Sequence, residues 1–147
     1  MKIVIGVDDS SYSKAAVEWV KKFPWPKETE FIVLSAARTT ALMYATSDGG
    51  GVYAGEMLQG EIKLHEEIAS GYERELRERG FPTTGVVVQG DPREALVNLA
   101  IQKNADLVVV GSHGRSGVGK MLLGSVADHV ISHAPCTVTV VKSRRRG

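Results

Sequence analysis

Cysteine is nearly absent. Cys136 stands alone among 147 residues, so no disulfide can close within the chain. That excludes a disulfide-stapled scaffold and suits a reducing compartment. An excess of charge of one sign is absent too: 18 Lys and Arg face 17 Asp and Glu. Such a balance gives no general drive toward nucleic acid or a membrane surface. The local exception, Lys142 with Arg144, Arg145 and Arg146, reads as a solubilising tail. No apolar run approaches membrane-spanning length, and the N-terminus enters a strand without a secretory pattern. A cytoplasmic location is the expectation, with neither nucleic acid nor membrane as partner. Internal repeats are missing as well. What is present, 43% hydrophobic and 24% charged residues, describes one soluble globular domain over residues 1–147.

Five apolar segments alternate with helical patterns. Lys2 to Val7 is a β-branched run that ends in Asp8-Asp9-Ser10-Ser11, a turn and helix cap. Ala16, Val17, Val20 and Phe23 give the following helix an apolar face, stopped by Pro24 and Pro26. Glu30 to Leu34 reads as a second buried strand. Arg38 to Tyr53 has little periodicity and includes Gly49, Gly50 and Gly51, so a mobile excursion is expected there. Leu58, Ile62, His65, Ala69, Tyr72 and Leu76 mark a long amphipathic helix closed by Gly80, with His65 read as packing. Val86 to Val88 is a third strand. Asp91 then caps a helix, with Pro92 in its first turn and Glu94 placed to complete a capping box. Leu96, Leu99 and Ala100 face inward. Leu107 to Val110, Val126 to Ser132 and Thr137 to Val141 supply strand, helix and strand. Strands that are apolar throughout need cover on both faces, so the expected fold is a three-layer α/β domain with a mainly parallel sheet.

The chemistry concentrates in Gly111-Ser112-His113-Gly114-Arg115-Ser116-Gly117-Val118-Gly119-Lys120-Met121-Leu122-Leu123-Gly124-Ser125. A strand, a glycine-rich crossing and a helix N-terminus together form an anion site, with phosphate the expected guest. Gly114 to Lys120 almost spells the common phosphate loop, but Met121 stands where a Ser or Thr should hold magnesium. The dinucleotide fingerprint fails too, since the first strand ends Gly6-Val7-Asp8-Asp9. The spacing Gly111-x2-Gly114-x9-Gly124-Ser125 instead resembles the nucleotide-binding pattern of the universal stress protein family, ATP-binding branch. The acidic turn after the first strand, Asp91, the Gly124-Ser125-Val126-Ala127 helix start and Ala134-Pro135-Cys136-Thr137-Val138 extend the resemblance over nearly the whole chain.

That resemblance implies an adenine nucleotide alpha hydrolase-like fold, a five-stranded parallel sheet ordered 3-2-1-4-5. It implies ATP as ligand, with Asp8 near ribose and phosphate, and with Val7 and the backbone around Ala36 beside the adenine. Gly111 and Gly114 would line the ribose and phosphate path, and Gly124 and Ser125 would meet the terminal phosphates. A departure lies at Ser35-Ala36-Ala37-Arg38, which lacks the family's usual His-Val and following acid.

Each residue also has a structural reading. Gly124 and Ser125 could simply start a capped helix, with Asp128 completing its box, and Gly111 and Gly114 could serve a tight turn. A bare Asp8 carboxylate repels triphosphate, so in a functional role it bonds ribose or holds magnesium against phosphate. Arg115 and Lys120 are the cations within the loop, each able to clamp phosphate or to remain a surface charge. His129 and His133 have ligand spacing but read as surface residues. Thr137 to Val141 is a short late strand with nothing after it to cover an open edge, which predicts a symmetric homodimer through that strand. The expected function is an ATP-binding regulatory or stress-response protein with an unidentified protein partner and little or slow hydrolysis. The alternatives are a slow magnesium-dependent ATPase and a ligand-free dimeric, chaperone-like protein.

Overall fold

The structure, a computed structural model, describes residues 1–38, 50–114 and 122–143. Its elements in chain order are β1 (Lys2–Gly6), α1 (Ser11–Lys22), β2 (Glu30–Ala37), α2 (Gly50–Glu78), β3 (Thr83–Gln89), α3 (Pro92–Gln102), β4 (Leu107–Gly111), α4 (Ser125–His133) and β5 (Thr137–Val141). The strands form one sheet in the order β3-β2-β1-β4-β5, parallel at every pairing. This is the three-layer architecture and strand order expected above.

The period-two rule of a strand divides the core in two. Ile3 and Ile5, Phe31 and Val33, and Leu107 and Val109 turn to one face, where Ala16, Val17 and Val20 of α1 and Leu76 of α2 cover them. Val4, Ile32, Leu34, Val108 and Val110 turn to the other, against Leu96, Leu99 and Ala100 of α3 and Ala127 and Val130 of α4. The central strands are therefore apolar at both phases, because neither face reaches water.

Two expectations are corrected. Gly50–Tyr53 belong to the first turn of α2 and not to the excursion; the rest of that segment, residues 39–49, lies outside the described residues. Phe23 is 45% exposed and does not face inward. The helix ends at Lys22, Phe23 takes extended backbone as its C-cap (φ −84, ψ 138), and the helical period no longer aims its ring. That ring instead packs on Trp19 and Trp25, with centroids 5.3 and 4.5 Å away.

Candidate functional site at the carboxyl ends of β1 and β4

Strands β1 and β4 are neighbours whose following loops meet, and in parallel α/β sheets the crevice at such a reversal of strand order receives ligands. Just past β1, Val7 is buried, and its N–H donates to the Leu34 carbonyl at 2.9 Å. Asp8 follows, tied into the start of α1. Its Oδ1 accepts from the Ser10 N–H at 2.9 Å and from the Ser13 hydroxyl at 2.9 Å, and its own N–H donates to Ser13 Oγ at 2.8 Å. Ser10 caps α1 through the Ser13 N–H. The carboxylate is thus oriented by the helix start that it borders. Its other oxygen, Oδ2, points at Gly114, where an added Cβ would sit 3.0 Å from it.

The loop after β4 returns to the same place. Gly111 lies so close to α1 that a Cβ there would meet Tyr12 Cβ and carbonyl O at 2.8 Å each. Packing alone therefore requires that glycine. Ser112 is buried, its N–H bonded to the Val141 carbonyl and its carbonyl accepting from the Gly124 N–H at 2.7 Å. His113 takes a Ser112 Oγ contact at 3.1 Å and stacks obliquely on Tyr12. A Cβ at Gly124 would stand 3.0 Å from His113 Cα and 3.2 Å from the Ser112 carbonyl O. Gly124 has φ −72, a value open to any residue, so closeness to the β4 loop and not backbone freedom selects glycine.

The cap of α4 is a third correction. Gly124, not Ser125, is the N-cap: its carbonyl takes the Asp128 N–H at 3.0 Å, and no side chain bonds the cap. Ser125 is the first helical residue and is exposed. This shifts Asp128 one position beyond a capping box. α1 and α3 both carry side-chain caps, Ser10 and Asp91, whereas α4 begins with bare backbone facing the β4 loop.

Asp8, Gly114 and Gly124 are thus brought together. Ala36 lies further along the edge, on β2, buried and paired with Val88 of β3. Arg115 and Lys120 lie outside the described residues. His129 and His133 stack at a centroid distance of 4.1 Å, and among the described residues no group of three His, Cys, Asp or Glu side chains could hold a metal ion. Sequence reasoning passed over Ser13, Ser112 and Ser35. A lone Ser inside the apolar run of β2 was the available signal for Ser35. His65, read as packing, is indeed buried but also hydrogen-bonded, its Nδ1 2.6 Å from Ser35 Oγ.

At the β3 end, Asp91 accepts from the Arg93 N–H and receives the Arg93 guanidinium at 2.5 to 3.0 Å. That guanidinium, opposed by partial burial and aided by the Arg38 charge, holds its carboxyl at about 2. Arg93, and not Glu94, is therefore the residue that completes this cap. Burial, with Asp106 adding to it, pushes the Cys136 thiol up, which keeps it protonated and inert.

This sheet order, with its paired loops at the carboxyl ends of β1 and β4, defines an α/β protein of adenine nucleotide alpha hydrolase-like topology. The chain belongs to the universal stress protein family, whose model matches residues 1–142. It is 30% identical over 154 residues to universal stress protein MJ0577 of Methanocaldococcus jannaschii, covering 97% of this chain and 95% of that protein. A solved structure of MJ0577 is similar with a TM-score of 0.88 at 27% identity, over 98% of this chain and 96% of that one. A universal stress protein solved in complex with cAMP gives a TM-score of 0.61 at 26% identity, over 97% and 96% of the two chains. No helix among the described residues is long and apolar enough to cross a membrane.

Proposed function

We propose that this protein is a regulatory member of the ATP-binding branch, holding ATP at the carboxyl ends of β1 and β4 with little or slow hydrolysis. One observation carries the reading: a side-chain-free helix start, Gly124, is packed against the β4 loop, whose Gly114 lies beside an oriented carboxylate, Asp8. Backbone N–H groups at a helix N-terminus suit phosphate, and the cAMP complex of a relative supports adenine as the base. Val7 and Ala36 would flank that base, Gly111 and Gly114 would follow the ribose, and Gly124 and Ser125 would receive the terminal phosphates, with Arg115 and Lys120 as clamps. Magnesium characteristically binds one or two carboxylates plus phosphate oxygens and water, and Asp8 fits that donor set. Hydrolysis needs a base to orient water. Asp8 is already committed to Ser10 and Ser13, so slow turnover belongs to the proposal.

Titration calorimetry of nucleotide-stripped protein with ATP should show one site per chain at roughly micromolar affinity. Asp8→Ala should weaken binding more with magnesium than without. The absence of saturable binding by folded protein in either condition would reject the site.

A further inference from the structure

The core is interrupted by a polar array that the assignments above leave unused. Ser35 has no exposure and His65 has 4%. Ser35 Oγ lies 3.0 Å from the Val7 carbonyl O and 2.6 Å from His65 Nδ1. A carbonyl only accepts, so the single hydroxyl proton is given to Val7, and Ser35 must then accept from an Nδ1–H. The other ring nitrogen, Nε2, faces Glu61 Oε2 at 3.5 Å, one turn earlier on α2. A carboxylate favours a proton there as well. The neutral ring carries one proton and the imidazolium two. Only the charged ring serves both neighbours.

The position gives the array its meaning. The β1–β2 ladder ends at Gly6 and Leu34, and the Val7 N–H then bonds the Leu34 carbonyl. The Ser35 side chain adds a further rung by holding the Val7 carbonyl. It clasps the two strand ends that carry Val7 and Ala36.

We propose that Ser35 and His65 are positioning residues of the strand-end site. His65, protonated on Nδ1, turns the Ser35 hydroxyl onto the Val7 carbonyl and fixes the gap between β1 and β2 that receives an adenine base. The inference rests on the nucleotide-site reading. Glu61 competes for the ring proton from the Nε2 side, so the clasp is complete only where Nδ1 keeps its proton.

The test is the affinity for ATP at one fixed pH in wild type, Ser35→Ala, His65→Asn, His65→Leu and Glu61→Gln. Ser35→Ala and His65→Leu should bind about tenfold more weakly than wild type. His65→Asn supplies an amide N–H in place of Nδ1–H and should keep wild-type affinity. Glu61→Gln can donate to Nε2 and leave the ring proton on Nδ1, so it should bind at least as tightly as wild type. Equal affinities in wild type, Ser35→Ala and His65→Leu would overturn the clasp while leaving the nucleotide site intact. If no variant binds nucleotide, the function falls, and nitrogen NMR of the His65 ring in the nucleotide-free protein still decides the clasp. A proton on Nδ1 in Glu61→Gln supports it, and one confined to Nε2 rejects it.

Discussion

At Gly124 the helix α4 and the loop after β4 are in backbone contact, and a methyl group has no room to enter. The nearest atoms to an added Cβ, His113 Cα at 3.0 Å and the Ser112 carbonyl at 3.2 Å, are main chain and cannot rotate aside. Gly124→Ala should therefore displace the start of α4, lower stability by about 1–3 kcal/mol and abolish ATP binding, as read by denaturant melts and calorimetry. Unchanged binding would remove Gly124 from the phosphate site. Asp91 makes a separate prediction from its depressed pKa. Its carboxyl ionises more readily folded than unfolded, so the stability it adds is complete above the unfolded value of about 4. That contribution is lost as pH falls toward its folded value of about 2. Asp91→Asn keeps a capping side chain but lowers the melting temperature at neutral pH, and the deficit should close on acidification across that window. Both sites were legible in sequence, Asp91 from its Asp-Pro start and Gly124 from its spacing. The cap at Gly124, against the expected Ser125, was not legible. It depends on where the loop returns to Ser112, a contact between residues 12 positions apart that local propensity does not encode.

Among the elements, β3 and β5 are the edges of the sheet, and only their surroundings distinguish them. On β3, the Gly85 N–H donates to Glu73 Oε2 at 2.6 Å and the Thr83 carbonyl accepts from Arg77 Nε at 2.8 Å, while Glu73 and Arg77 pair with each other. The helix α2 therefore occupies the outward hydrogen-bonding positions of β3 at Thr83 and Gly85 with its own side chains. A Cβ at Gly85 would lie 2.6 Å from that same carboxylate oxygen, so the glycine makes room for the cover. Glu73→Ala should cost about 1 kcal/mol and speed amide exchange at Gly85. Protection equal to wild type would show that the carboxylate does not guard the strand. Sequence periodicity placed α2 and β3 but not this bond, because Glu73 reads as an ordinary charge on the outer face of an amphipathic helix. The same blindness affected Ser35 and His65, whose partners are 28 and 30 residues away. Apolar strands and helical stripes announce themselves locally, whereas polar groups gain their roles only from distant partners.

For the whole molecule, this contrast bears on assembly. Among the described residues, side chains bond the outer backbone of β3 but none bonds that of β5, the strand Thr137 to Val141 proposed from sequence to pair with a second chain. The Val141 carbonyl accepts from the Ser112 N–H just past β4, so in a parallel ladder the alternate residues Val138 and Val140 turn their N–H and C=O groups outward. Their side chains still pack on the α3–α4 side of the core, so the edge is rigid and presents its backbone in a fixed line. A two-fold pairing of such strands joins two sheets into one and removes the exposed edge from both chains. Proline is tolerated at an edge whose N–H faces outward, since no ladder bond is lost. Val140→Pro therefore separates assembly from folding. Sedimentation should give twice the chain mass for wild type and the chain mass for Val140→Pro, with the circular dichroism spectrum unchanged. A dimeric Val140→Pro would place the interface elsewhere, and a monomeric wild type at high protein concentration would remove β5 pairing altogether. Because β5 also bonds the loop after β4 through Ser112, and the Ser112 carbonyl holds Gly124, the monomeric variant should bind ATP more weakly than the dimer. Equal affinity would show that each strand-end site works independently of its neighbour.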